Sequence, residues 1–332
     1  MDIREKVKSG STIILDGATG TEISRLGVPS DPTFGGVANI KYPEIVQKIH
    51  ENYIVSGCDI ITTNTFGTCR HVLNSLGLGE KTYEINSKAV ENAKISKSKI
   101  NLDKEIYIAG SMTNYFALKE NEYVQNPKFI PSIEEEEKNY FEMANILLEN
   151  GVDFIILEML ADIKHAELLL KAAISTNLPV WIGISCCINK FDNTVIGRNF
   201  SVEKNPSLIS EDKNISEPPK LLPENEIIPL EEIIESLKVI GGDVYGIMHS
   251  WVEDANMGLE VLKTKWDGPI MMYPEIGEFN TSTHETKIKI SPNEFPEICS
   301  NWTNKGVQII GGCCGVNNSH IKKLVDSFIE KN

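Results

Sequence analysis

The chain has 332 residues, of which 41% are hydrophobic and 24% are charged, and its formal net charge is -15. This composition is typical of a soluble globular protein, and the length suits two average domains or one large α/β barrel. Because binding to nucleic-acid phosphates needs clustered positive charge, the acidic balance argues against a nucleic-acid partner.

No targeting or membrane signal is evident along the chain. The first five residues lack the apolar core of a signal peptide, and no run of eighteen apolar residues occurs. The seven cysteines are odd in number and lack the spacing of a disulfide framework. We therefore expect a cytoplasmic protein without a membrane partner.

Short apolar runs recur eight times along the chain, and each precedes a longer helical pattern. Their continuous apolar character is typical of parallel strands covered on both faces. The strand candidates are residues 12–15, 58–62, 106–109, 154–157, 180–184, 244–247, 270–273 and 307–310, and the amphipathic segments between them include 43–56, 133–150 and 231–240. Eight such units predict an α/β fold, a (β/α)8 TIM barrel forming one domain over residues 1–332. A doubly wound sheet uses the same units and stays open at this point.

Polar side chains follow the predicted strands. In a TIM barrel, the groups that carry chemistry lie at the C-terminal ends of the strands. Those positions hold Asp16, Thr63, Asn64, Ser111, Glu158, Cys186, Cys187, His249, Glu275, Cys313 and Cys314. We therefore expect one functional site on this rim.

One segment, residues 199–229, interrupts the regular pattern. It is rich in Pro, Asn, Ser and acidic residues and follows the fifth predicted strand. This composition indicates a loop insertion on the catalytic face of the barrel. The segment is either a solvated surface insertion or a functional loop, which would be a lid over the barrel mouth or a substrate-specificity loop.

The stretch from Gly311 to Gly315 reads Gly-Gly-Cys-Cys-Gly and follows the last predicted strand. Glycine permits a tight bend that can turn both thiols toward one point. Adjacent cysteines do not easily bridge one another, whereas thiolates are good zinc ligands. The pair is either part of a metal site or two inert thiols in a glycine-rich turn.

Five stretches, taken in order, resemble the zinc-dependent homocysteine S-methyltransferases. They are residues 15–22 (LDGATGTE), 57–66 (GCDIITTNTF), 153–158, Tyr-Pro at 273–274 with Gly-Glu at 277–278, and the closing 311–315. The resemblance extends from residue 13 to about residue 325. It implies a (β/α)8 barrel that uses Zn²⁺ to transfer a methyl group from a small-molecule donor to the thiolate of homocysteine, giving methionine.

The metal site departs from the pattern of that family. Cys313 and Cys314 align with two of its three zinc ligands. The third ligand of the family is a cysteine that follows an asparagine at the end of the sixth strand, and here Met248-His249 stands in place of that Asn-Cys. Because a Cys2His set is known in catalytic zinc chemistry, we expect His249 to be the third ligand. Two alternatives stay open: Cys186 or Cys187 supplies the missing thiolate, or the metal site is degraded.

The resemblance also assigns substrate contacts. Asp16 and Glu158 align with carboxylates that hold the substrate amino group, and the amides of Gly17 and Ala18 align with the place that receives its carboxylate. Asn64 either lines the pocket or braces the barrel rim. These residues are our predicted binding site for the thiol substrate.

A second departure, Glu275, bears on the methyl donor. It replaces an expected Asn, and an extra acid there would either recognise a cationic donor or indicate a different thiol substrate. Replacing one thiolate by neutral histidine lowers the negative charge around zinc, so the bound sulfur becomes a weaker nucleophile that needs a better leaving group. We therefore expect a sulfonium donor rather than glycine betaine.

Other functions remain as alternatives. In one alternative, the barrel has diverged toward another thiol substrate or toward a non-catalytic role in binding a small molecule or metal. A zinc hydrolase would need clustered histidines, and the six in this chain are dispersed.

Overall fold

The computed structural model describes residues 2–101, 104–119, 125–199, 227–280 and 285–329. Most of the predicted insertion at 199–229, and with it the expected lid, lies outside the described residues.

The centre of the fold is an eight-stranded parallel sheet. In chain order the strands of the protein are β1 Ile13–Ile14, β2 Ile60–Thr62, β3 Tyr107–Thr113, β4 Phe154–Leu160, β5 Val180–Ile184, β6 Cys186–Ile188, β7 Val195–Gly197, β8 Val244–Trp251, β9 Ile270–Glu275, β10 Gly277–Asn280, β11 Glu285–Ile288 and β12 Ile309–Ile310. The order of strands in the sheet is β1-β12-β9-β8-β5-β4-β3-β2. The pairs β6–β7 and β10–β11 are antiparallel hairpins outside the sheet. All eight predicted strands are present, although β1, β2 and β12 are shorter than expected.

Helices follow the strands of the sheet. In chain order they are α1 Ile3–Lys8, α2 Thr19–Arg25, α3 Ala38–Lys41, α4 Pro43–Ser56, α5 Arg70–Leu73, α6 Thr82–Lys99, α7 Ile133–Glu149, α8 Lys164–Ile174, α9 Leu230–Ile240, α10 Val252–Lys265, α11 Phe295–Asn304 and α12 Asn318–Ile329. Short 3-10 helices occupy Asn74–Leu76, Gly79–Lys81 and Pro127–Phe129. Within the described residues, no helix has the length and apolar character needed to cross a bilayer.

Local sequence explains where several helices begin and end. Pro43 is the first residue of α4, a position at which its missing N–H costs nothing. Gly57 ends α4 with a φ of 96°, a left-handed conformation that favours glycine. Ser132 and Glu135 form a capping box at the start of α7.

Two aspartates join the ends of the sheet, β1 and β2. The N–H of Asp59 donates to the Ile14 carbonyl oxygen at 2.7 Å, and the Ile14 N–H donates to Asp59 Oδ2 at 2.8 Å. Near the other end of the strands, the Thr62 N–H donates to Asp16 Oδ2 at 2.7 Å. These bonds bring the sheet around into a barrel, and the predicted α/β barrel fold is confirmed.

Successive strand residues face two different cores. One set, which includes Ile14, Ile61 and Ile155, packs with buried apolar residues of the helices in the outer core between sheet and helices. The alternate set forms a separate cluster within the barrel, where the Phe154 and Trp181 ring centroids lie 4.2 Å apart. Burial on both faces explains why the strands read as continuous apolar runs.

Candidate active site at the barrel rim

A cavity of about 330 Å³ opens at the C-terminal ends of the strands. Eight of the nine predicted site residues line it, namely Gly17, Ala18, Asn64, Glu158, His249, Glu275, Cys313 and Cys314. The ninth, Asp16, is fully buried behind this lining. The fold therefore gathers residues from distant parts of the sequence at one place.

Two irregular strand ends shape the cavity wall. The β4–β5 register shifts between Leu157 and Leu160, and Met159 has a φ of 60°. The β8–β9 register shifts between Met248 and Trp251, with His249 at a φ of 42°. Bulges of this kind redirect side chains near active sites, and here they carry Glu158 and His249.

The two bulges are in contact. The Met159 N–H donates to Met248 Sδ at 3.2 Å. The bulge that bears Glu158 is therefore attached to the one that bears His249.

The cysteine pair is held against the end of β9. The Cys313 N–H donates to the Pro274 carbonyl oxygen at 2.7 Å, and the Cys314 carbonyl oxygen accepts from the Ile276 N–H at 2.9 Å. These backbone bonds set the position of both thiols.

The thiols of Cys313 and Cys314 and the imidazole of His249 form a candidate metal-binding cluster. Cys313 Sγ lies 3.8 Å from Cys314 Sγ and 3.7 Å from His249 Nδ1, and all three donor atoms lie within 4.8 Å of one another. In a tetrahedral zinc site, two sulfurs would be about 3.8 Å apart and a sulfur and a nitrogen about 3.6 Å apart, given the usual bond lengths. The donor set and its spacing therefore fit zinc.

Cys186 and Cys187 lie elsewhere. Cys186 Sγ contacts the Ser250 hydroxyl at 3.8 Å and the Asp254 carbonyl oxygen at 3.7 Å, and burial raises the pKa of this thiol to about 12. Cys187 packs in a small apolar cluster. Neither belongs to the cluster found among the described residues, so the geometry favours His249 as the partner of the cysteine pair.

The two adjacent thiols differ in their readiness to ionise. The Cys313 thiol donates to Cys314 Sγ, and this hydrogen bond together with the neighbouring His249 lowers the pKa of Cys314 below its usual range, against the opposing effect of burial. The same hydrogen bond, together with burial, raises the pKa of Cys313. Of the two thiols, Cys314 is therefore the one that ionises more readily.

Glu275 faces the imidazole of His249 and is itself paired with Arg198. Glu275 Oε2 lies 3.4 Å from His249 Nδ1, and its other oxygen accepts from Arg198 Nη1. Burial alone would raise the pKa of Glu275, but Arg198 and His249 outweigh it and lower the pKa. Burial would lower the pKa of His249, but Glu275 and Cys314 reverse this and raise it. The charge of Glu275 is therefore engaged within the protein.

Glu158 offers a second carboxyl group to the cavity. Its Oε1 accepts from the Ser111 hydroxyl. Burial raises the pKa of Glu158 to about 7, against the opposing effects of that hydroxyl and of His249. A cationic group beside Glu158 would favour its ionised form.

Asp16 and the two residues after it take different places. The carboxylate of Asp16 accepts from the N–H and the hydroxyl of Thr62 at 2.7 and 2.9 Å. The Ala18 N–H donates to the Val316 carbonyl oxygen at 3.0 Å. A Cβ on Gly17 would lie 2.5 Å from that same oxygen, so only glycine allows this approach.

Asn64 both lines the cavity and braces the rim. Its Nδ2 donates to the Gly35 carbonyl oxygen at 2.8 Å and to Asn39 Oδ1 at 3.1 Å. The two alternatives predicted for this residue are therefore compatible in the structure.

Comparison with known proteins assigns nearly the whole chain to one protein family. The family model described as homocysteine S-methyltransferase matches residues 13–328. The chain belongs to the homocysteine S-methyltransferase family. The predicted family, and with it the class of methyltransferase enzymes, is confirmed.

Relatives of the chain cover almost all of its length. Homocysteine S-methyltransferase 1 of Arabidopsis thaliana is 23% identical, over 96% of this chain and 93% of the relative. Selenocysteine Se-methyltransferase of Brassica oleracea var. italica is 22% identical, over 98% and 91%. The solved metallated form of the homocysteine methyltransferase MmuM from Escherichia coli has a TM-score of 0.70 at 17% identity, over 98% and 99%. The structural likeness supports the barrel fold.

Among the cavity residues that the sequence did not reveal are three aromatic side chains and one arginine. Phe34, Phe66 and Tyr115 line the cavity, and their ring centroids lie 5.2 to 5.6 Å apart. They come from three loops, so no periodicity in the sequence links them. Arg198 follows β7 and meets Glu275 only because the barrel brings the ends of β5 and β9 to the same rim. The one signal in the sequence was that Arg198 lies shortly after the fifth predicted strand, whose C-terminal end was expected to carry site residues.

Proposed function

We propose that this protein transfers a methyl group from a small sulfonium donor to the thiolate of homocysteine, giving methionine, with Zn²⁺ held by His249, Cys313 and Cys314. The observation that carries the proposal is the spacing of those three donor atoms at the mouth of a barrel of this family. We expect the reaction to take place in the cytoplasm, as the cysteine usage of the chain predicts.

The cluster suits the activation of a thiol. A free thiol is mostly protonated at neutral pH, and bound Zn²⁺ would supply a Lewis acid that favours the thiolate. The residues of the chain hold the donor atoms together, because backbone bonds fix the cysteine pair and the β8 bulge presents the imidazole.

We assign the substrate amino group to Glu158. This carboxyl group lines the cavity, and its pKa of about 7 means that an ammonium group nearby would draw it into the ionised state. Asp16 lies behind the cavity lining with Thr62 as its partner, so we assign it a supporting role between β1 and β2. The Ala18 N–H is already engaged, so we assign the substrate carboxylate to the amide of Gly17.

A sulfonium compound is the methyl donor that best suits a metal site with two cysteine ligands and one histidine ligand. Two thiolates and one neutral imidazole carry one negative charge fewer than three thiolates, so a substrate sulfur held beside them is a weaker nucleophile. Its attack on the methyl carbon breaks the sulfur–methyl bond of the donor, and the electron pair leaves with a neutral thioether. A thioether is a better leaving group than the tertiary amine that betaine would release.

The cavity also contains a surface that suits a cation. The faces of aromatic rings attract positive charge, and Phe34, Phe66 and Tyr115 form an aromatic wall. We therefore assign recognition of the donor's charge to this wall. Glu275, which the sequence suggested for that role, has its charge taken up by Arg198.

Metal content tests the proposed site. Elemental analysis of protein purified without chelator should give about one zinc per chain, as a single three-ligand cluster requires. His249→Ala should lower that content, whereas Cys186→Ser is the matched control and should leave it unchanged. Zinc well below one equivalent, with no further change in His249→Ala, contradicts the site; loss of zinc in Cys186→Ser would favour the alternative ligand.

Parallel assays test the donor. Methionine formation from homocysteine is measured with S-methylmethionine, S-adenosylmethionine, dimethylsulfoniopropionate and glycine betaine at equal concentration. We expect at least one sulfonium compound to support faster turnover than betaine. Faster turnover with betaine than with every sulfonium compound would show that the charge argument is wrong.

A further inference from the structure

We propose that Arg198 and Glu275 act together as positioning residues for His249, fixing its backbone and its ring so that Nδ1 faces the cysteine pair. This inference rests on the metal site assigned in the proposed function. The Arg198–Glu275 pair would hold the imidazole of His249 in place and so set the affinity of the site for a divalent metal.

The backbone at His249 needs support from its neighbours. Its φ of 42° lies in the left-handed region, which is uncommon for a residue other than glycine. Its carbonyl oxygen accepts from the Ser185 hydroxyl at 2.8 Å and from Arg198 Nη1 at 3.3 Å. Two side chains from the β5 end of the barrel thus hold this conformation.

The imidazole ring is held by the same guanidinium group, acting through Glu275. Arg198 Nη1 donates to Glu275 Oε1, and Glu275 Oε2 lies 3.4 Å from His249 Nδ1. That nitrogen is also the one that lies 3.7 Å from Cys313 Sγ. One arginine therefore touches both the main chain of His249 and the acid that faces its ring.

The three groups are shielded from water. The side chains of Arg198 and Glu275 are 13% and 5% exposed, and that of His249 is 15% exposed. Charge–charge interactions are stronger in such an environment than at the surface. The arrangement therefore differs from an exposed ion pair, whose contribution is small.

Arg198 is itself fixed to the barrel. The backbone N–H of Arg198 donates to the Ser185 carbonyl oxygen at 3.0 Å. Next to it, the backbone N–H of Gly197 donates to the Ile228 carbonyl oxygen at 2.8 Å. Ser185 thus contacts Arg198 through its main chain and His249 through its hydroxyl. The support is anchored directly after β5, beside the strand that bears His249.

In the metal-free protein Glu275 keeps Nδ1 turned toward the cysteine pair; once Nδ1 holds a metal it no longer carries a proton, and Glu275 then lies beside the ligands as an outer group. Outer groups orient the ligands of a metal and set their affinity. Loss of an outer partner lowers metal affinity by about 10- to 100-fold in known sites. Glu275 also places an anion beside a donor set that has only two thiolates, and Arg198 balances that anion. We expect both side chains to matter for metal binding without being ligands.

Titration of metal-free protein with Co²⁺ tests the inference, because the absorption of Co²⁺ reports both affinity and ligand geometry. Glu275→Gln, which keeps the size of the side chain, and Arg198→Met should each weaken Co²⁺ binding about 10- to 100-fold and alter its visible spectrum. Arg198→Lys keeps the charge but loses the planar donor group, so it should fall between Arg198→Met and the wild type. It also keeps the test valid if Arg198→Met does not fold.

Arg70→Met is the matched control. Arg70 forms a partly buried pair with Glu142 at 2.6 Å and does not line the cavity. This variant should lose stability but keep the Co²⁺ affinity and spectrum of the wild type. The double variant of Arg198→Met and Glu275→Gln should bind no more weakly than the weaker single variant, since both act through His249.

The possible failures are distinguishable. If folded wild-type protein takes up no Co²⁺, the proposed metal site is wrong and the positioning role falls with it. If the wild type binds Co²⁺ while Glu275→Gln and Arg198→Lys match it within twofold and share its spectrum, the positioning role alone is wrong. Losses that multiply in the double variant would contradict a single support acting through His249.

Discussion

Asp16 is a buried acid whose ionisation should lower the stability of the protein. It is fully shielded from solvent, and burial raises its pKa from 3.8 to about 7, although the hydrogen bonds from Thr62 oppose the rise. The substitution Asp16→Asn removes the ionisable group and nearly preserves the shape of the side chain. We therefore expect this variant to be more stable than the wild type at pH 8.

The expected size follows from the two pKa values. Because the pKa of Asp16 in the folded state lies above its value of 3.8 in the unfolded chain, the folded state holds more protons between about pH 4 and 7. The free energy of unfolding therefore falls as the pH rises through that window, by about 4 kcal/mol in total at about 1.4 kcal/mol per pH unit. An amide oxygen replaces only one of the two acceptors, at a cost of about 1 kcal/mol. The net gain at pH 8 is about 3 kcal/mol.

Urea unfolding of the wild type and of Asp16→Asn at pH 8 and pH 5 measures this difference. At pH 5 most of the cost of ionisation is absent, so the gain should fall below about 1 kcal/mol. Asp153→Asn is the matched control, since Asp153 also accepts a strand N–H, from Ile108 at 2.7 Å, but is exposed. It should not stabilise the protein at either pH.

A loss of stability in Asp16→Asn that is equal at both pH values would refute the reasoning. Such a result would mean that the two hydrogen bonds from Thr62 outweigh the effect of burial on the carboxylate.

Two further substitutions test the assigned roles. Glu158→Gln should raise the KM for homocysteine about 10- to 100-fold, because it removes a charged partner of the substrate ammonium group. Asp16→Asn should change that KM less, and the reverse order in steady-state kinetics would make Asp16 the substrate contact. Gly17→Ala should lower the free energy of unfolding by about 1–3 kcal/mol, because the added Cβ would meet a carbonyl oxygen at 2.5 Å; unchanged urea stability would show that the loop relaxes without cost.

The sequence was sufficient to predict the barrel fold because each buried strand is visible as a short apolar run of neighbouring residues. Parallel strands buried on both faces must be apolar throughout, and eight such runs separated by helical patterns leave few folds to choose from. The same rule placed Glu158, His249 and the cysteine pair on one rim, since the C-terminal ends of all parallel strands meet there. The glycine-rich setting of Cys313 and Cys314 was likewise visible within a few residues.

Only the tertiary structure decided how these groups face one another. Arg198 and Glu275 are 77 positions apart, and no local pattern records that they pair beside His249. The bulge that turns His249 depends on the register between β8 and β9, and Asp16 lies behind the cavity lining because Thr62 on the adjacent strand takes up its carboxylate. Side-chain direction and partners arise from packing between distant segments, whereas strand position follows from the pattern of neighbouring residues.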